Sequence, residues 1–246
     1  MLELKNGAFF LADAHENEER RYFWDFLQAL EKGEIYTPQL FLMGDIFDLL
    51  VGEVKASYAF AMPYINLLEK LSEKMEIYYL EGNHDFNLNR FFKKVQVVSL
   101  QNQPLILHTS KGNDEKFFLA HGDIFLNPFL QFLLKSLRNP FLLRFLNFIN
   151  ILTFSSITNC ILARQKRKNL FYSIANFKNL AYERYAKYQA NGAWVVEGHY
   201  HQNLLLQEGV VKYFNLPSFA YERSFFVVEF LPEVKFEKQK LRGQDV

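Results

Sequence analysis

The 246-residue chain has one cysteine, Cys160, so it can form no disulfide within itself. A structural cage of several thiolates is excluded with it, and the composition suits a reducing compartment. Net charge is nearly absent. The 28 Lys and Arg against 27 Asp and Glu leave +1, which offers no global basic field to attract nucleic acid. The first residues, MLELKNGAFF, lack a basic stretch before a long apolar core, so no secretory leader is expected and the expected location is the cytoplasm. No repeat or low-complexity linker breaks the chain. The uncharged run 145–163, FLNFINILTFSSITNCILA, falls just short of the ~20 residues that span a bilayer. It also carries Asn147, Asn150, Thr153, Ser155, Ser156, Thr158 and Asn159, so a transmembrane helix is not expected. One local absence matters more. Between 124 and 182 there is no Asp or Glu, while Lys135, Arg138, Arg144, Arg164, Lys166, Arg167, Lys168 and Lys178 are spread among Phe, Leu and Ile. Basic amphipathic helices that cover something greasy are predicted there.

Half of the residues are hydrophobic, enough for one large domain or a domain with a large insertion. The runs GAFFLAD (7–13), QLFLMGD (39–45) and MEIYYLEGNHD (75–85) are each apolar and end in acid or amide groups. They read as buried strands. Helical spacing over 17–32, with Phe23, Phe26, Leu27 and Leu30 before Gly33, and over 55–74, puts helices between them. This alternation predicts a parallel α/β core. Short strands are expected near 95–100, 104–109 and 116–120. Alternating β-structure is expected from 193 to 241, with turns at Glu208-Gly209 and Leu231-Pro232.

In open α/β sheets, ligands bind beyond the carboxyl ends of the strands. Those ends hold Asp13-Ala14-His15, Gly44-Asp45-Ile46-Phe47-Asp48, Gly82-Asn83-His84-Asp85, His121-Gly122-Asp123 and Gly198-His199-Tyr200-His201. Each block alone has an ordinary reading. Asp13 and Asp45 fit helix N-caps, Asn83 a turn, His84 the surface and His121 a hydrogen-bonded core position. His108, at another strand end without a ligand neighbour, keeps such a reading. Five blocks, all at strand ends, read together as a metal site. Carboxylate, amide and imidazole ligands without thiolate suit Mn, Fe, Zn or Co. Two divalent ions roughly 3.5–4 Å apart clamp a phosphate and activate water. Ions that close need an anionic bridge, and Asp45 is the candidate. The glycines before Asp45, Asn83 and His199 allow close backbone approach.

The set D-x-H, G-D-x-x-D, G-N-H-D, H-G-D and G-H-x-H resembles the calcineurin-like metallophosphoesterase superfamily, over roughly 5–125 and 190–241. The resemblance implies an α/β (α+β) fold of four layers, a two-sheet sandwich flanked by helices, with a dinuclear site. One ion would take Asp13, His15, Asp45 and His201. The other would take Asp45, Asn83, His121 and His199. His84 would stabilise or protonate the leaving oxygen, with Asp85 orienting it. The core would be 1–125 and 190–246, and 126–189 an inserted helical lid or cap.

Within that superfamily, GDIFDLLVGE, GNHDF, HGD and a helical insert before GHYH look like the diphosphatases that act on UDP-2,3-diacylglucosamine in lipid A biosynthesis. That likeness implies hydrolysis to UMP and 2,3-diacylglucosamine 1-phosphate, usually with Mn, by a cytoplasmic enzyme at the membrane surface. The partner would be a lipid-linked sugar nucleotide, not a nucleic acid. An insert directly after His121 overhangs the site, and its composition fits a molecule anionic at one end and apolar at the other. Asn83, Arg164 and Lys168 are the candidate substrate contacts. Two departures weaken the match: His84 stands where those enzymes have Arg, and Tyr200 where they usually have Thr. A nucleotide phosphodiesterase or phosphatase therefore stays open as an alternative. A non-catalytic scaffold would lack some ligands, whereas this chain keeps them all.

Overall fold

Large apolar residues alternate along the strands, and both alternating sets are buried. A computed structural model describes residues 2–109, 115–230 and 233–241. The chain begins with β1 (Leu2–Leu4), β2 (Phe9–Leu11), α1 (Tyr22–Lys32), β3 (Gln39–Leu42), β4 (Leu50–Val51), α2 (Lys55–Tyr58), α3 (Met62–Leu71) and β5 (Glu76–Leu80). It continues through β6 (Asp85–Phe86), β7 (Gln96–Val98), β8 (Leu105–Thr109) and β9 (Lys116–Ala120). Four helices follow: α4 (Pro128–Leu137), α5 (Pro140–Leu152), α6 (Ser156–Lys166) and α7 (Phe177–Tyr188). The last elements are β10 (Trp194–Glu197), β11 (Leu204–Glu208), β12 (Val211–Asn215), α8 (Phe219–Glu222), β13 (Ser224–Glu229) and β14 (Lys235–Lys240).

Among the described residues, one six-stranded sheet has the order β14-β13-β2-β3-β5-β7 and a second has β1-β8-β9-β10-β12-β11. Successive strands β2, β3, β5 and β7 are parallel neighbours, as the alternation predicts. Glu208-Gly209 closes the β11–β12 hairpin. The expected turn at Leu231-Pro232 lies outside the described residues.

Side chains two apart along a strand share a face. Phe10, Phe41 and Tyr78 meet Phe117, Trp194 and Phe214 between the sheets. Their strand neighbours Phe9, Leu11, Leu40, Leu42, Ile77 and Tyr79 point the other way, onto Phe23, Phe26 and Leu27 of α1 and Tyr64, Ile65 and Leu68 of α3. On the far side, Phe118, Val195 and Tyr213 receive Phe177, Ala181, Tyr185 and Tyr188 of α7. The order is helix, sheet, sheet, helix, the four layers that the resemblance implies.

Two helices differ from expectation. The 55–74 segment is two helices, because Pro63 fits only a first turn and starts α3 afresh. The 17–32 helix starts at Tyr22. Asn17 Oδ1 instead accepts the N–H groups of Glu19 and Arg20 in a turn, and the Glu16 carboxylate accepts those of Phe23 and Trp24 at the helix start.

The segment from α4 to α7 leaves after β9 and returns to β10, which is the parallel neighbour of β9. Helices α4, α5 and α6 bury only Leu143, Asn150 and Thr158. Phe129, Phe132, Phe141, Phe145, Phe148 and Phe154 are between 58% and 92% exposed, an apolar face without cover. No single helix among the described residues is long and apolar enough to cross a membrane; α5 and α6 are so only together, as a pair bent by 98°.

Candidate metal centre

The five strand-end blocks converge. Asp13, His15 and His201 bring donor atoms within 4.8 Å of one another, and so do Asp45, His121 and His199. The Asn83 side-chain oxygen is buried without a hydrogen-bond partner. The geometry groups Asp45 with His121 and His199, and a bridge from Asp45 to the first group stays part of the proposal below.

The backbone is bent to make this possible. Asp13, His15, Asp45, His199 and His201 all have φ between 44° and 63°, a left-handed region that side-chain-bearing residues seldom occupy and that clusters at functional sites. Two glycines make room. A Cβ on Gly44 (φ 87°) would stand 2.4 Å from His121 Nδ1, and one on Gly82 would stand 2.2 Å from Asp45 Oδ1.

Hydrogen bonds set which ring nitrogen faces inward. His121 Nδ1 lies 2.9 Å from Met43 O, and His201 Nδ1 lies 3.0 Å from Leu170 O. A carbonyl only accepts, so Nδ1 carries the proton and Nε2 presents a lone pair. His15 Nδ1 lies 3.4 Å from Asp48 Oδ1, a close charge contact without a hydrogen bond. This is the outer arrangement typical of metal-bound histidines.

The inward atoms test whether a cation fits. His121 Nε2 faces Asp45 Oδ2 at 3.4 Å and His201 Nε2 faces Asp13 Oδ1 at 3.1 Å, yet Asp13 Oδ1 has no hydrogen bond. Acceptors aimed at one another at such distances require a positive charge between them. Protons show the same demand. Burial opposes ionisation of Asp13 and Asp45, but His201 beside the first and His121 beside the second hold both below the ordinary carboxylate range. Burial likewise opposes charge on His121, and Asp45 outweighs it and raises that imidazole well above its usual value. His199, buried and next to His121, is lowered to about 3. The donor set of carboxylates, imidazoles and one amide oxygen fits two divalent cations.

Asp85 requires a correction. It does not orient His84. Its carboxylate accepts from the backbone N–H of Asp45 (3.0 Å), Ile46 (2.6 Å) and Gly82 (2.9 Å), and from Tyr79 OH (2.6 Å). Burial and the nearby Asp45 charge push Asp85 up to about 7. It therefore holds the Asp45 loop against the Gly82 loop. His84 is oriented by Asp48 O, 2.9 Å from its Nδ1, and its own N–H donates to Asp45 Oδ1 at 2.8 Å.

Asn83 and His84 also form part of the wall of an apolar cavity of about 370 Å³. Leu49, Val51 and Phe86 line it on one side, and Leu137 of α4, Leu143 of α5 and Ile157 of α6 on the other. Arg164 and Lys168 are exposed and touch none of the ligands. They border an open basic hollow that shares Ile161 and Gln165 with the cavity. Sequence reasoning passed over Asp48, although it stands in the quoted G-D-x-x-D block. It also gave no role to Arg138, Arg184 and Glu197, for which a single sequence carries no signal.

This chain belongs to the calcineurin-like phosphoesterase family, whose pattern matches residues 9–203, and it is a metal-dependent phosphoesterase. It is similar to a UDP-2,3-diacylglucosamine hydrolase of Blochmanniella pennsylvanica, 26% identical over 207 residues that cover 80% of this chain and 79% of that one. A protein of the same name from Wigglesworthia glossinidia brevipalpis is 25% identical over 202 residues, 79% of each chain. Among solved structures, an Escherichia coli phosphoesterase, YfcE, aligns with a TM-score of 0.44 at 13% identity, over 94% of this chain and 97% of that one.

Proposed function

We propose that this enzyme hydrolyses the pyrophosphate bond of UDP-2,3-diacylglucosamine, adding water across it to give UMP and 2,3-diacylglucosamine 1-phosphate. The observation that carries the reading is the apolar cavity built jointly by core and insert, with Asn83 and His84 in its wall. A phosphoester without acyl chains has no use for it. Two cations, manganese first among Mn, Fe, Zn and Co, would supply positive charge for the phosphoryl oxygens and an activated water when bound.

The residues divide the remaining work. Asp13, His15, Asp45 and His201 would hold one cation, and Asp45, Asn83, His121 and His199 the other. Asp48 fixes the rings of His15 and His84. His84, with Nδ1 committed to a carbonyl, offers Nε2 to a phosphoryl oxygen and in its protonated form donates there. Arg164 and Lys168, in the hollow that adjoins the cavity, suit the anionic part of the substrate. Acyl chains in the cavity contribute about 0.8 kcal/mol per buried methylene, and that remote binding energy can position the reacting phosphate.

The same reading puts the enzyme at the cytoplasmic face of a membrane. Support comes from the exposed phenylalanines of α4 and α5 and the acid-free, basic composition of 124–182. Such a face gains from apolar insertion and from attraction to anionic headgroups. Because His84 replaces the expected Arg, a phosphodiesterase acting on unacylated nucleotides is the second reading. Steady-state rates on UDP-glucosamine with and without acyl chains separate the two. Much higher efficiency on the acylated form, with UMP as product, is expected. Equal efficiency, or release of UDP, overturns the lipid reading and leaves the metal-dependent hydrolase standing.

A further inference from the structure

Arg138 directly follows α4 and is nine-tenths buried, with its side chain 8% exposed. Its Nη2 donates to Gly82 O at 2.5 Å and to Asp123 Oδ2 at 3.2 Å, and its guanidinium lies 5.3 Å from the centre of the Phe86 ring. The backbone carbonyl of Arg138 is held in turn by Asn87 Nδ2 at 3.0 Å, a group that also binds Glu53. One side chain from the insert thus grips two core loops. Gly82 immediately precedes Asn83, and Asp123 follows His121 by two residues.

The choice of anchor atoms has a consequence. The Gly82 carbonyl lies in the same rigid plane as the Asn83 N and Cα, so fixing that oxygen fixes the direction in which Asn83 leaves the backbone. Asp123 ties the following loop to the same guanidinium. Asn83 and His121 are both donors of one cation group, with Asp45 and His199. The described hydrogen bonds of the Arg138 side chain go to this second group's loops alone; the His15 loop has a separate arginine, Arg20, whose Nε donates to His15 O at 2.9 Å. An outer residue of this kind normally tunes affinity for the ion whose ligands it orients.

We propose that Arg138 is a positioning residue for the second cation of the pair, and that it couples the seating of α4 and α5 to the affinity of the Asp45, Asn83, His121 and His199 group. The proposal rests on the dinuclear reading above. Coupling of this sort is reciprocal: seated helices strengthen metal binding, and metal binding strengthens the seating of the helices.

The test uses the full chain, stripped with chelator and reloaded with Mn²⁺, with binding followed by calorimetry and by paramagnetic resonance. Wild type should take two equivalents and show a coupled pair. Arg138→Met should keep one equivalent unchanged and weaken the other by about 10–100-fold, giving the spectrum of an isolated ion. Arg138→Lys should recover part of the loss, since both bonds come from the single nitrogen Nη2 and an ammonium can stand in for it, on a more flexible stem without the planar guanidinium that fixes it. Amide exchange across 128–152 should slow on Mn²⁺ loading in wild type and respond less in Arg138→Met. A purely structural arginine would lower the melting temperature and leave the two affinities in their original ratio. If Arg138→Met does not fold, Asn87→Gly loosens the same anchor at a position whose φ of 57° suits glycine, and a smaller selective weakening is expected. A folded variant of either kind with two wild-type equivalents overturns the proposal alone. Wild type that binds fewer than two ions overturns the dinuclear reading and this proposal with it.

Discussion

Replacing Arg184 with Met should destabilise the protein more than any surface change. Arg184 and Glu197 are 1% and 0% exposed. The guanidinium donates through Nε and Nη2 to the two Glu197 oxygens, through Nη1 to Ile124 O at 2.7 Å and through Nη2 to Gly122 O at 3.1 Å. Burial works against its charge, and the Glu197 carboxylate outweighs burial and holds the guanidinium above its ordinary value. Methionine keeps much of the stem and makes none of these bonds. Glu197 would retain only the hydroxyls of Tyr188 and Tyr213. Removing one partner of a buried ion pair costs about 3–5 kcal/mol. In a chain of this size each kcal/mol moves Tm by about 2–4 °C, so the midpoint should fall by roughly 6–20 °C. Adding Glu197→Gln should recover part of the loss, because the amide oxygen still accepts from one tyrosine hydroxyl, the amide NH2 can donate to the other, and no charge is stranded. The assay is thermal unfolding of the two single variants and the double, closed as a double-mutant cycle. If Arg184→Met melts within ~2 °C of wild type, the pair contributes nothing net and the reasoning is wrong.

Other outcomes can be stated more briefly. Asp45→Asn keeps a side chain that tolerates the left-handed backbone but removes the charge proposed to bridge the two ligand groups; both bound metal and hydrolysis of a generic phosphodiester should be lost, and retention of either refutes the bridge. Chelator should abolish activity on the same substrate and Mn²⁺ restore it. His84→Ala should lower turnover by about 10²–10⁴-fold with metal content unchanged, and a parallel loss of metal would instead make His84 part of the binding set. Gly82→Ala forces a methyl group against Asp45 Oδ1 and its backbone N, at 2.2 and 2.7 Å; a loss of about 1–3 kcal/mol and weaker metal binding are expected in denaturant titration and calorimetry. Binding to anionic vesicles should fall as salt rises, since surface charges act within about 10 Å at 0.1 M, and Phe129→Ser with Phe141→Ser should weaken it at every salt concentration.

The parallel run of β2, β3 and β5 and the gathering of polar blocks at strand ends were legible because both follow from short-range patterns, whereas the second sheet was expected only from the family resemblance. Alternation in FFL, LFL and YYL says which residues face inward, and a chain running parallel through such strands carries its polar ends to one edge. Helix boundaries were less legible where one residue overrides periodicity. Pro63 splits a segment whose apolar spacing runs on unbroken, and Glu16 reaches seven and eight residues ahead to fix where α1 begins. The partners of Asp85 were hidden for a different reason. A carboxylate next to His84 in the chain is an obvious orienter, but two of the three N–H groups it meets belong to Asp45 and Ile46, 40 and 39 residues away in the chain, and the third to Gly82. Arg138 and Arg184 sit among other basic residues with nothing local to set them apart. Only the return of the chain through α7 to β10, beside β9, brings them against Gly82, Gly122 and Glu197.

The left-handed backbone at Asp13, His15, Asp45, His199 and His201 also bears on how this protein would respond to selection. Such a conformation costs an ordinary L-residue about 1–2 kcal/mol, and glycine escapes that penalty. Five such positions in one centre are a standing concession of robustness to chemistry. A library sorted only for heat resistance should therefore drift toward glycine or asparagine at 13, 15, 45, 199 and 201, and its hardiest members would be the ones least able to hydrolyse anything.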